Sequence, residues 1–269
     1  EARRGVRGPG GARITIGAGS GTQGGHVGDI AAEMRAKVAS SLETIDEPID
    51  PASYESEWIT FAAQTEAVSA SLKGEDRSAT RALAALYREI GQSETAYFRT
   101  AGAFVEANPY EFSGIGSREE LSERLAGAEK AAEAARLHAA FLDESSGRLR
   151  RLLAERSISS EFADKVVGAF QHRSAPALRA ALARTDEAFH EAGADMIRFL
   201  IEHWGRCEVD PEHGWEVFEE GIDDEPYAEA IARFNAAIDE DERLSAELSA
   251  RVRENMQALE GFEGKLRGR

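Results

Sequence analysis

The chain has a single cysteine, Cys207, in 269 residues. No internal disulfide can form, so a small secreted scaffold held by disulfides is excluded. No run of 18 or more apolar residues occurs, which excludes a transmembrane helix. Aromatic residues make up only 7%. Basic residues are also scarce: 32 Lys and Arg stand against 49 Asp and Glu, a net charge of −17. That surplus of acid repels phosphate backbones and anionic lipid, so general nucleic-acid binding and electrostatic membrane attachment are not expected. What the chain does have is alanine, 47 residues, within a hydrophobic share of 42% and a charged share of 30%. This is the balance of a soluble globular protein with enough chain to bury a core, in the cytoplasm or the periplasm.

Charge and glycine are unevenly placed. Residues 1–28 carry Arg3, Arg4, Arg7 and Arg13 against Glu1 alone, and hold 10 of the 25 glycines. The remaining 241 residues carry 28 basic and 48 acidic side chains. Within the leader, Gly19, Gly21 and Gly24 spell G-x-G-x-x-G after the β-prone Arg13–Ile16. A dinucleotide site would need a parallel sheet behind that loop, and no convincing strand follows Asp29. Residues 1–28 are therefore read as a flexible, basic, Gly-rich tether. The leader has no apolar core and no initial Met, which fits a processed chain, a removed anchor or a trimmed end equally well.

Proline supplies the punctuation for residues 29–269. The seven prolines leave 52–108, 110–175, 177–210 and 227–269 free of proline, and each interval suits long helices because proline inside a helix costs about 3 kcal/mol. Asp50 and Pro51 form a start signal. Tyr54, Trp58, Phe61, Thr65, Val68 and Leu72 then recur at alternating steps of 4 and 3, a heptad seam closed by Gly74. Leu83, Leu86, Ile90, Tyr97, Ala101 and Phe104 mark a second helix. Ser117-x-x-Glu120 is a capping box that opens a third, with a kink expected at Gly147. A shorter helix fits 160–172. Ser174 is the expected cap of a helix with the seam Leu178, Leu182, Thr185, Phe189, Ala192, Met196, Phe199 and His203. The last helix starts near Pro226 and slips phase across Asp239–Glu242. The expected fold is an all-α, elongated antiparallel helical bundle with coiled-coil-like heptad packing, either whole or divided into two sub-bundles near 109–117.

Few residues suggest chemistry. Glu187-x-x-His190 has the spacing of a bundle di-metal ligand pair, but it occurs once, and with Phe189 on the seam both residues fall on the solvent side. His203, Cys207 and His213 lie within eleven residues and carry good ligand atoms for Zn²⁺ or another divalent ion, although H-x3-C-x5-H matches no standard closed site and a plain helix-to-helix turn is the simpler reading. Residues 206–243 contain fourteen Asp and Glu against three Arg. Trp204, Trp215, Phe218, Asp223 and Asp224 in this stretch are the candidates for partner contact, with the aromatics as plugs of the bundle end the competing account. No complete catalytic constellation is present. The leading expectation is thus a non-enzymatic scaffold or adaptor acting through a protein partner or self-association, without a cofactor. A bundle housing a metal ion or small ligand in its interior, with enzymatic activity, is the alternative, and the soluble sensory or periplasmic domain of an anchored protein is a third.

Overall fold

The computed structural model describes residues 51–112, 115–209 and 216–267. The Gly-rich leader and the Asp50 cap lie outside them. Among the described residues six helices form the fold: α1 (Pro51–Ser71), α2 (Gly74–Glu106), α3 (Arg118–Glu155), α4 (Ser160–Ser174), α5 (Pro176–Glu202) and α6 (Glu225–Arg267). None is long and apolar enough to cross a membrane. Between α5 and α6 the strands β1 (Cys207–Val209) and β2 (Glu216–Phe218) pair antiparallel. The sequence shows no such strand, because three residues are too few for an alternating pattern to register.

The long helices run antiparallel to their neighbours. Glu89 of α2 meets Arg148 of α3, while Ser93 further along α2 meets His138 further back on α3. Asp143 pairs with Arg184 and Glu129 with Arg198 where α3 lies against α5. Thr185 approaches Asp241, and Asp195 pairs with Arg233, along α5 and α6. In the same way α1 packs on α2, with Glu66 meeting Arg88 and Arg77 reaching the Ser69 carbonyl. The result is an all-α antiparallel bundle of α2, α3, α5 and α6, with α1 laid on α2 and the short α4 against α3.

Apolar residues gather at three levels. Phe61, Leu86, Leu149 and Phe170 fill the space among α1, α2, the end of α3 and α4. Leu121, Ile197, Phe199 and Tyr227 fill the opposite end. Leu182, Leu244, Leu248 and Val252 join α5 to α6. Alanines such as Ala128, Ala131, Ala135 and Ala192 are fully buried; their small side chains let neighbouring helices approach closely. The expected α5 seam faces inward from Leu182 to Phe199.

Local signals fare differently. The Ser117 hydroxyl accepts from the Glu120 amide at 3.1 Å, as a capping box requires. Gly147 does not break α3, which continues to Glu155. Ser174 does not cap α5. It ends α4, and the chain turns through Ala175 in the left-handed region (φ +44°) directly into Pro176; the proline fixes the helical φ of the first turn in place of a side-chain cap. Gly74 (φ +56°) begins α2 rather than ending α1.

Two glycines mark close approaches. A Cβ at Gly127 would collide with the Phe104 ring, and one at Gly193 with the Tyr110 ring. Gly102, inside α2, has open space around it. Alanine should therefore act with opposite signs at two helical glycines. Gly102→Ala is expected to stabilise by about 1 kcal/mol through the lower entropy of the unfolded chain. Gly193→Ala is expected to destabilise by about 2 kcal/mol as the ring is displaced. Urea denaturation of the two variants checks this; a stabilised Gly193→Ala protein would show that Tyr110 does not lie against α5.

Candidate functional site: a polar cluster inside the bundle

Midway along the bundle, polar side chains from four helices meet in the interior. The Tyr97 hydroxyl of α2 donates to Asp186 Oδ2 of α5 at 2.6 Å, with both groups buried. On α6, Asp241 Oδ1 lies 3.4 Å from Thr185 Oγ1, whose hydroxyl also reaches the Leu182 carbonyl at 2.7 Å. Burial, reinforced by the negative charge of Asp241, pushes Asp186 up to about 8 against the opposing hydrogen bond from Tyr97. Asp186 is thus a carboxylic acid at neutral pH. Burial and the neighbouring carboxylate also hold the Tyr97 phenol well above its usual range.

His138 of α3 stacks flat on the Tyr97 ring, with centroids 5.4 Å apart and planes within 5°. Its Nδ1 is 2.9 Å from Ser93 Oγ. Burial, then the positive charge of Arg179, drives His138 down to about 4, so the imidazole is neutral. Glu94, only 4% exposed, sits one turn from Tyr97 on α2. Glu94, His138 and Arg179, with Ile90, Leu182 and Leu248, border a cavity of about 20 Å³. That is room for one water molecule and too little for an organic substrate.

A second buried polar pair lies toward the α2–α3 connection. Arg124 donates to the carbonyls of Pro109 (3.2 Å) and Glu111 (2.6 Å), holding the connection against α3. Tyr110 is thereby placed over Gly193, its oxygen 2.9 Å from His190 Nδ1. Its ring packs edge-on against Phe104, Phe189 and Phe234 at 5.2 to 5.7 Å. Burial lowers His190 to about 4.

His190 corrects the expectation of a solvent-facing residue: it is 2% exposed. The heptad argument assumes one buried stripe, whereas α5 is covered by α3, by α6 and by Tyr110, so positions beside the seam are enclosed too. Glu187, half-buried, pairs with no second Glu-x-x-His element.

Of the sequence candidates at the α5–α6 connection, His203, Trp204, Cys207, Phe218, Asp223 and Asp224 lie among the described residues. His203 is half-buried with its ring 4.4 Å from that of Phe199. Cys207 is half-buried in β1 against the same apolar level. His213 and Trp215 lie outside the described residues. Among the described residues no three His, Cys, Asp or Glu side chains are arranged to hold a metal ion. Phe218 closes the bundle end, 5.2 Å from both Phe199 and Tyr227. Asp223 Oδ1 accepts from the Glu225 amide at 3.2 Å, and the Asp224 carbonyl accepts from the Tyr227 and Ala228 amides, so both open α6. Trp204 remains 39% exposed.

No protein-family model, curated protein or solved structure matches this chain.

Glu94, Asp186, Asp241 and Tyr110 go unmarked in the sequence, while Tyr97 shows only as a seam residue and His190 only beside Glu187 on the expected solvent side. One signal was available. The α2 seam steps from Ile90 to Tyr97 over seven residues, and the intermediate position, four after Ile90, is Glu94. A carboxylate on a seam position is a buried charge in need of partners.

Proposed function

We propose that this chain is a non-catalytic helical bundle that acts through protein contacts, with a partner or with further copies of itself. The observation that supports this reading most is how little space the described residues leave inside the bundle. Tyr97 engages Asp186 and Ser93 engages His138, and the cavity beside them admits a water and no organic substrate. The surface is where recognition is then made. At the α5–α6 connection Trp204 is exposed, and the same connection carries the exposed acids Glu219, Glu220, Asp223 and Asp224, with Glu219 paired to Arg206. An indole on the same connection as acidic side chains suits a basic partner that supplies an apolar pocket.

Native mass spectrometry of protein purified without chelator, followed by sedimentation velocity, tests this reading. The expected result is an oligomer or a protein complex without small-molecule mass. Trp204→Ala should weaken it by about tenfold or more without shifting the melting temperature. A monomer carrying a reproducible metal or organic adduct would overturn the proposal. It would favour instead a bundle that houses a ligand.

A further inference from the structure

The interior acids have no task in an interaction protein, and their placement points to one. Asp186 is faced from α2 by Tyr97 and from α6 by Asp241, while the charge of Glu94 acts on Tyr97 and His138 of α3 stacks on the Tyr97 ring. The nearby cation on α5 is Arg179, which lies toward His138 at the cavity. The other arginines of this level are engaged at the surface, Arg184 with Asp143 and Arg243 with Glu240 and Glu247. Buried Glu94 and Asp186 and half-buried Asp241 thus bring carboxyl groups from three helices to one level, and Asp186 and Asp241 lie across the α5–α6 interface.

Like charges at close range in a buried setting cannot both ionise cheaply. The helix able to relieve that conflict is α6. It packs chiefly on α5, with slight contact to α4 and with Phe234 against Tyr110 of the α2–α3 connection, and its Asp241 is half-buried at the edge of the cluster. Helices α2, α3 and α5 are held to one another by further contacts, so they have less freedom to part. We propose that the cluster is a proton-dependent latch: with Asp186 protonated, α6 is seated on α5, and loss of that proton drives α6 away from Asp186 and uncovers the α5 face that carries Leu182, Phe189 and Met196. The ordinary carboxylate range would put the release in acid; burial and Asp241 bring it to mildly alkaline pH.

Hydrogen-exchange mass spectrometry on the full chain at pH 6.5 and pH 9, corrected for the intrinsic exchange rate, tests the latch. Protection in 230–255 should fall at least about tenfold at the higher pH while α2 and α3 keep theirs. Asp186→Asn, which cannot ionise, should abolish the difference, and Asp241→Asn should reduce it by removing the opposing charge from a half-buried position that tolerates exchange. Unchanged protection of α6 at pH 9, an equal loss in every helix, or the full pH effect persisting in both variants would overturn the proposal. Should Asp186→Asn fail to fold, Asp241→Asn with the full effect would overturn it alone.

Discussion

Tyr110→Ala should lower the stability of the protein by about 4 kcal/mol, in the range of large aromatic truncations in cores. The ring touches Phe104, Phe189 and Phe234, lies against Gly193 and carries the partner of His190. Removing it empties the junction of α2, α5 and α6 at once. Tyr110→Phe separates the two contributions. It keeps the ring contacts and leaves the buried His190 nitrogen without its partner, at a cost of about 2 kcal/mol. The pair with Gly193 is also decisive. In the Tyr110→Ala background the clash is gone, so Gly193→Ala should no longer destabilise, a coupling that a double-mutant cycle measures directly. Equilibrium urea unfolding gives all four values. A loss below about 1 kcal/mol for Tyr110→Ala would mean that the α2–α3 connection does not strap the bundle.

The second large effect is on the pH dependence of stability. In the folded chain His138 and His190 have lost their protons once the pH passes about 4, against 6.5 when exposed. Between these values the unfolded chain binds more protons, so each histidine adds stability as pH rises from about 4 to 6.5. Asp186 acts in the other direction. Its folded carboxyl keeps its proton to about 8 against 3.8 when exposed, so its contribution is complete in acid and is lost as pH rises through about 8. Each group has a slope of at most about 1.4 kcal/mol per pH unit. Two histidines outweigh one aspartic acid up to 6.5; above it the aspartic acid acts alone. Stability should therefore peak near pH 6.5 and fall on both sides. Denaturant midpoints from pH 4.5 to 9 would show it, and Asp186→Asn should flatten the alkaline side and steepen the acid side. Stability still climbing at pH 8 would refute the assignment.

The two sides of that curve come from residues that the sequence reveals unequally. Much of the architecture is written in local pattern. Prolines bracket the helices, and the run from Leu182 to Phe199 faces inward as its spacing demands. What local pattern misses is whatever depends on a second neighbour. His190 falls off the seam, yet it is enclosed because Tyr110 arrives from eighty residues away. Asp186 follows Thr185 of the seam, but its meaning comes from Tyr97 and Asp241 on other helices. His203 and Cys207 attract notice because they are close in sequence, while the interior cluster draws its members from four helices and has no short motif. Ser174 illustrates the converse: a good cap residue goes unused because Ala175 and Pro176 already turn the chain.

The order in which helices meet has a consequence for how the chain folds. Helix α1 pairs with α2, α2 with α3, and α5 with α6, each with its successor, so those contacts close short loops at low entropic cost. The largest contact, the α3–α5 seam, reaches across an intervening helix. During synthesis the first three helices can assemble before α5 has emerged, and α5–α6 can form a hairpin on its own. The joining of these two halves, which brings Asp186 to Tyr97 and His190 to Tyr110, is the late event, and the polar cluster comes into being only when the last large piece arrives.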